Sequence, residues 1–415
     1  MGALIPGFEM VVIPYDLLLF VLLILSGIYR RRTLSLFITR RFDPVLSVRV
    51  PNTIQLEVHN DGEDVTGFLR DEAPQEFESS EREFRLDAKS GSDQIIHYSV
   101  RPHERGGFFF KGTFVRALAP LGLCFVQLKP ATEQPVRVYP NVKAIKEFDL
   151  LKQRGRLNLI GVRKSRIKGL GTEFESLREY NEDDFRRIDW KTTARRGKLV
   201  VRDYEQERNQ AVIVCLDIGR HMLSEVQGVK KLDHALDACL MLLHAASVSG
   251  DQVGLLVFAD VVRRYLPPRK GRNQNGAILD AVHGLSAEPV ESNYSGAFSY
   301  LATRWKRRSL VVVFTDAEDE RGAESIVTAI APLARRHLLM VVRVSDPRLK
   351  ELVDSPIRTT KEMYDKSAAL WYANDRKRAE SKLSSFGIHS IDSEPQDLSA
   401  ALVSAYLRVK ETSAL

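Results

Sequence analysis

The sequence predicts an N-terminal membrane helix, then an antiparallel β-sandwich of the immunoglobulin kind, then an α/β domain built on a mostly parallel sheet. Three hydrophobic rhythms predict it. Met10–Ile28 is almost continuously apolar, Leu46 to Tyr139 alternates with a period of two, and after residue 208 short apolar runs alternate with helical segments. The expected boundaries are 1–32 for the segment carrying the helix (about 10–28), 33–145 for the sandwich, 146–208 for a connecting region that packs on the α/β domain, and 209–415 for that domain.

At 415 residues the chain has room for two or three domains. Its 44% hydrophobic and 28% charged residues suit a globular protein, not a disordered or fibrous one. Cys124, Cys215 and Cys239 lie in apolar surroundings without C-x-x-C spacing, which argues against a disulfide framework or a zinc site and for reduced core residues. The net charge of +7 is concentrated, with 16 Lys and Arg against 10 Asp and Glu between Lys152 and Arg208. The signs are so mixed there that a solvated, ion-paired face is expected, not a nucleic-acid partner.

Met10–Ile28 holds 13 Leu, Ile, Val or Phe in 19 residues, long enough to cross a bilayer. On an insertion scale they contribute roughly −4 to −8 kcal/mol, against at most about +3 for Asp16, while Pro14 lies near the end, where proline is tolerated. No Lys or Arg precedes the run, whereas Arg30, Arg31 and Arg32 follow it, with Arg40 and Arg41 behind. A secretory signal needs the reverse arrangement. The positive-inside rule makes this a single-pass protein of the cell membrane with everything after residue 30 in the cytoplasm. The alternative is that Leu17–Leu25 is a buried core helix.

Thr53–Asn60, Gln94–Arg101 and Phe108–Val115 read as half-buried strands. Turn signals at Asn60–Gly62, Ser90–Ser92, Arg105–Gly107 and Pro120–Gly122 separate them, at the spacing of a sandwich. No catalytic constellation falls in this region, and a spacer or docking role suits it.

Beyond residue 208, Ala211–Leu216, Val253–Phe258, Ser309–Thr315 and His337–Val344 are apolar runs that fit strands buried on both faces. Lys230–Ser249, Glu324–Arg336, Ser367–Phe386 and Leu398–Lys410 read as helices, and Ile388–Ile391 as a short strand. Ligands on such sheets sit at the carboxyl ends of strands. Asp217 and Asp316 each end a strand, so both carboxylates can face one crevice and suit Mg²⁺, a hard ion that takes oxygen ligands. The plainer reading is that each caps the next helix. No G-x-S-x-G, H-E-x-x-H or Walker A sequence occurs, and Gly169-Leu-Gly171 lacks the third glycine of a phosphate loop.

Gly169-Leu-Gly-Thr-Glu-Phe-Glu-Ser-Leu-Arg-Glu-Tyr180, Asp184-Phe-Arg-Arg-Ile-Asp-Trp-Lys191, Ala194-Arg195 and Val201-Arg-Asp-Tyr-Glu-Gln-Glu207 together resemble the signature of the domain-of-unknown-function-58 family. The resemblance covers almost the whole chain and extends to Arg105–Phe108, Pro120–Leu123, Tyr139-Pro140 and the tail from Leu383 to Lys410. It marks Glu173, Arg178, Tyr180, Asp189, Trp190 and Arg195 as signature residues. They are read either as an ion-pair network anchored by Trp190 or as a recognition surface. It implies a von Willebrand factor A-like C-terminal half, a membrane protein, and a MoxR-type AAA+ ATPase as partner. No enzymatic activity is established for that family.

The von Willebrand A resemblance also implies a metal-ion-dependent adhesion site of the form D-x-S-x-S with a separate Thr and a later Asp. Asp217 and Asp316 match the two aspartates as candidate metal ligands, but Gly219 and His221 stand where the serines belong, and Ser292–Ser295 holds no threonine. No resident cofactor is therefore expected, with Mg²⁺ the ion such a degenerate site would take. The function these features imply is a non-enzymatic, membrane-anchored interaction or assembly module. The alternatives are a Mg²⁺-dependent adhesion module and an unrecognised hydrolase using Asp217 and Asp316.

Overall fold

A computed structural model describes residues 9–140, 145, 148–150, 173–179, 188–205, 210–316 and 320–411. The chain divides into two compact units, Met1–Lys143 and Ala144–Leu415.

The first unit opens with α1 (Glu9–Thr33), in which Val12–Thr33 is long and apolar enough to cross a membrane, with a mean hydropathy of 2.1. Leu17, Phe20 and Leu25 are exposed, which is not the state of a core helix. There follow β1 (Leu36–Phe42), β2 (Leu46–Ser47), β3 (Asn52–Asn60), β4 (Val65–Glu72), β5 (Phe77–Ser79), β6 (Glu83–Ala88), β7 (Asp93–Pro102), β8 (Gly106–Phe110), β9 (Gly112–Leu118), β10 (Phe125–Leu128) and β11 (Gln134–Tyr139). They pair in the orders β1-β3-β7-β5, β10-β9-β4-β6 and β2-β11-β8, antiparallel except for the short β2–β11 contact. Alternate residues point inward, as the period of two requires. Ile54, Leu56 and Val58 of one sheet and Val65, Leu69 and Leu86 of another are fully buried in one shared core, each contributing about 1.5–3 kcal/mol.

Two sequence expectations change in this unit. Phe108–Val115 is not one strand. The chain breaks at Lys111 and resumes at Gly112, whose φ of +137° suits glycine alone. Arg40 is not part of a basic flank beside the helix but lies buried in the core. Its guanidinium pairs with Asp71, donates to the Thr132 carbonyl at 2.7 Å and sits 4.4 Å from the Phe110 ring centroid. Tyr98 adds a hydroxyl bond to the same carboxylate at 2.5 Å. Burying Arg40 is tolerable because charge and hydrogen bonds are both matched.

In the second unit β12 (Glu173–Glu179) pairs antiparallel with β13 (Val200–Glu205) on either side of α2 (Trp190–Arg196). Beyond them come β14 (Ala211–Asp217), β15 (Glu225–Val226), β16 (Val229–Lys230), α3 (Lys231–Val248), β17 (Gln252–Phe258), β18 (Val262–Arg269), α4 (Arg272–Val282) and α5 (Tyr294–Arg304). The chain continues through β19 (Leu310–Phe314), α6 (Glu320–Ala334), β20 (Leu338–Val344), α7 (Pro347–Asp354), α8 (Thr360–Ser385), β21 (His389–Ser393) and α9 (Pro395–Glu411). The main sheet runs β18-β17-β14-β19-β20-β21, parallel except for the antiparallel edge β18. One face packs Val212, Val214 and Leu216 against α3 and α9, and the other packs Ile213 and Cys215 against α5 and α6.

β18 was not legible because Pro267 and Pro268 argue against a strand. They are tolerated on an edge, where the missing N–H has no neighbour to serve. Gly254 on β17 makes room for them, since a side-chain carbon there would lie 2.9 Å from the Pro268 ring. α8 also starts earlier than its apolar spacing suggests. Thr359 and Glu362 form a reciprocal capping box, with Glu362 N to Thr359 Oγ1 at 3.2 Å and Thr359 N to Glu362 Oε2 at 3.1 Å.

Candidate functional site

β14 and β19 lie side by side in the sheet centre, with Leu216 opposite Phe314, so Asp217 and the Thr315-Asp316 pair leave the sheet at the same carboxyl edge. Both aspartates are buried, at 0% and 1% exposure.

Asp217 is saturated by neutral donors. Its Oδ1 accepts the Gly219 amide at 2.8 Å and the Ser292 hydroxyl at 2.5 Å. Its Oδ2 accepts the Thr315 hydroxyl at 2.7 Å and the Tyr294 hydroxyl at 3.2 Å. Tyr294 and Thr315 also meet at 2.8 Å. Burial, and then the negative charge of Asp217, push the Tyr294 phenol well above its ordinary range, so it stays protonated and donates. The absence of a side chain at Gly219 has a steric cause. A carbon added there would overlap the Ser292 hydroxyl, which fills that space and bonds Asp217. His221 lies in a short 3-10 turn, with its Nε2 4.0 Å from Glu291.

Asp316 is engaged by cations of the chain itself. Lys231, the first residue of α3 and 5% exposed, places its ammonium on Oδ2. Arg376 of α8 lies 3.4 Å from Oδ1 and forks onto Asp392 of β21, with Nε and one terminal nitrogen at 3.0 and 2.8 Å. Burial opposes the charge of Arg376, but Asp316 and Asp392 more than offset it and hold the group charged. Arg343 of β20, 2% exposed, comes within 3.5 Å of Asp392, although among the described residues none of its guanidinium nitrogens has a hydrogen-bond partner. Burial lowers its pKa, and Asp392 partly restores it.

This arrangement does not fit a divalent cation. Mg²⁺ needs several oxygens turned toward it, whereas here the hydroxyls of Ser292, Tyr294 and Thr315 are spent on Asp217, and an ammonium sits on Asp316. Among the described residues, no three His, Cys, Asp or Glu side chains gather as a metal cluster would. Asp217 and Asp316 thus share a crevice edge, as expected, but as metal ligands they do not fit. Lys231 and Arg376 escaped the sequence reading because they come from separate elements, and Ser292 and Tyr294 lie in the loop that was searched for a threonine, not for these donors. Arg343 carried a signal, a charge inside the apolar run Leu338–Val344.

The signature residues separate. Glu173 and Arg178 lie on β12 opposite Glu205 and Val201, while Tyr180 falls outside the described residues. Asp189 caps α2, accepting the amides of Lys191 and Thr192 at 3.0 and 3.1 Å. Trp190 is 65% exposed and Arg195 is exposed. Trp190 is therefore not an apolar anchor, because Ile188, Asp189 and Val200 take the buried positions at this corner.

Residues 176–379 match the family described as "Protein of unknown function DUF58". The match spans just under half of the chain. Uncharacterised proteins of Mycobacterium tuberculosis and Mycobacterium bovis are 27% identical over 191 residues. That stretch is 45% of this chain and 59% of theirs, so the chain spans little more than half the length of these curated relatives. Among solved structures, an aerotolerance-related membrane protein from Bacteroides fragilis is 19% identical, covering 50% of this chain and all of its own at a TM-score of 0.35. The conserved hypothetical protein BatB from Bacteroides thetaiotaomicron is 18% identical, covering 48% of this chain and 98% of its own at 0.32. The DUF58-matching region contains β14, β19, β20 and most of α8, and hence Asp217, Asp316, Lys231, Arg343 and Arg376.

Proposed function

We propose that the chain is a non-enzymatic, single-pass membrane protein whose cytoplasmic α/β domain, of von Willebrand A-like type, docks other proteins without a metal and works with a MoxR-type AAA+ ATPase. The observation that carries this reading is the Lys231–Asp316–Arg376 contact. It supports the reading because Asp316, a candidate metal ligand, is paired with cations of the protein itself, which compete with any Mg²⁺ for its carboxylate. A hydrolase using Asp217 and Asp316 would need a carboxylate available to a water molecule, and both carboxylates are buried and engaged.

What the domain offers instead is surface. Met363 and Leu370, and Tyr364 and Trp371, are spaced by seven along α8 and thus share one face, with Tyr364 and Trp371 68% and 69% exposed. An aromatic stripe of this kind is costly to leave in water and is typical of docking surfaces. The membrane part of the reading is supported by α1 and by Arg30, Arg31 and Arg32 at its end.

The test is affinity capture of the tagged full-length protein from gently solubilised native membranes, in Mg²⁺ and in EDTA, with and without Trp371→Ala. An AAA+ ATPase retained in both buffers and weakened by Trp371→Ala is the expected result. Loss in EDTA alone overturns the metal-independent site, and capture of no specific partner in either buffer overturns the interaction reading.

A further inference from the structure

The turn joining β9 to β10, Ala119-Pro-Leu-Gly-Leu-Cys124, is unusually apolar for an exposed loop. Leu121 is 76% exposed and holds a left-handed backbone with φ +64°, a conformation that costs a non-glycine residue energy. Leu123 and Phe125 are exposed beside it, and Phe68 of β4 lies 6.3 Å from Phe125, ring to ring.

This turn is fastened to α1. The Ser26 hydroxyl donates to the Pro120 carbonyl at 2.9 Å, and the Cys124 sulfur lies 3.9 Å from the Leu23 carbonyl. Gly27 lies directly beneath the turn, within van der Waals reach of the Cys124 sulfur. Arg30, 6% exposed, clamps the base of the turn by donating to the Leu118 and Asp64 carbonyls at 2.8 and 2.9 Å.

These bonds set a depth. At 1.5 Å per residue, Ser26 and Leu23 lie about 6 and 10 Å along the helix before Arg30. A hydrocarbon core of about 30 Å takes about 20 residues, and counted from Val12 it ends near Arg31. The turn held at Leu23–Gly27 therefore cannot lie in bulk water if α1 spans the bilayer. Its backbone suits that place. The Pro120 carbonyl is taken by Ser26, the Ala119 amide by the Cys124 carbonyl at 2.9 Å, and the Gly122 amide by the Ala119 carbonyl at 3.1 Å. Further from the tip the exposed face is polar and of mixed charge, with Arg116 and Arg85 flanking Phe68 in the sheet and Glu83 and Asp87 on either side of Arg85.

We infer that the β9–β10 turn is a second membrane contact, which dips Leu121, Leu123 and Phe125 into the cytoplasmic edge of the bilayer beside α1. The inference rests on α1 spanning the membrane. An element of this kind reaches about 5–10 Å into the boundary, which matches the depth the helix contacts impose. It would fix the tilt of the sandwich on the membrane, where one helix alone would leave it to swivel.

The test uses the full chain in phosphatidylcholine and phosphatidylglycerol vesicles, with Cys124→Ala as background. Cys215 and Cys239 are buried, and burial pushes their thiols up, so they stay unlabelled. An environment-sensitive dye is placed at Leu121→Cys, at Leu123→Cys as an independent copy, and at Leu19→Cys in α1. Lipids carrying a nitroxide near the headgroup should quench both turn sites about twofold, and mid-chain nitroxides should quench the helix site. Quenching at Leu19→Cys with none at either turn site overturns the inference and leaves the span intact. No quenching at Leu19→Cys overturns the span, and the inference with it.

Discussion

The ammonium of Lys231 rests on the carboxylate of Asp316, with the two side chains 6% and 1% exposed, at the carboxyl edge of the parallel sheet. An internal ion pair there makes the protein supply its own counter-charge. That has consequences for stability, because a buried charge that loses its partner is expensive.

Lys231→Met should destabilise the α/β domain by about 3–5 kcal/mol, as expected when one member of a buried pair is removed. Adding Asp316→Asn should recover part of that loss. Denaturant unfolding of the single and double variants gives the coupling, and additive losses would show that the pair does not interact.

Gly219→Ala should cost about 1–3 kcal/mol by overpacking, since the new methyl meets the Ser292 hydroxyl. Ser292→Ala alone should cost a similar amount by removing a donor from buried Asp217. In the double variant the overlap with the hydroxyl is gone and only tight approaches to the Val290 carbonyl and Asp217 Oδ1, at 3.0 and 3.1 Å, remain, so the single losses should sum to more than the double variant shows.

Trp190→Ala should melt within about 0.5 kcal/mol of the parent, because the ring is exposed. Asp189→Ala, which removes the Oδ1 that accepts the Lys191 and Thr192 amides at the start of α2, should cost about 0.5–2 kcal/mol. Reversal of that order would restore Trp190 as an anchor.

His337 gives a pH dependence. Burial, aided by the charge of Arg336, lowers its pKa below the ordinary 6.5, and among the described residues its buried Nδ1 has no hydrogen-bond partner. The folded state thus favours the neutral ring. Its stabilising contribution is complete above pH 6.5 and is lost as pH falls through the lowered folded value. His337→Phe should flatten that part of the stability profile between pH 7.5 and 5. Urea midpoints for parent and variant decide it, and parallel profiles would remove His337 as the cause.

The order of architectures was legible in the residues themselves. A 19-residue apolar run, a period of two and short apolar runs between helices are each one-dimensional signals of burial, and α1, β3, β14, β17 and β20 lie close to where they pointed. The placement of Asp217 and Asp316 at one edge was legible too, since parallel strands all end on the same side. Elements whose stability comes from neighbours were not. β18 depends on Gly254 across the sheet, and the first turns of α8 depend on a cap instead of an apolar stripe.

The chemistry of the crevice was decided only by tertiary structure. The sequence alone could place Gly219 and His221 after Asp217, but not show that Ser292 fills the space beside Gly219 and bonds Asp217, or that Lys231 pairs with Asp316. Hydrogen bonds and ion pairs act over a few ångströms in space and leave no periodicity along the chain. The same holds for Trp190 and Arg40. Composition marks one as a core residue and the other as a surface residue, and the packing around each reverses both assignments.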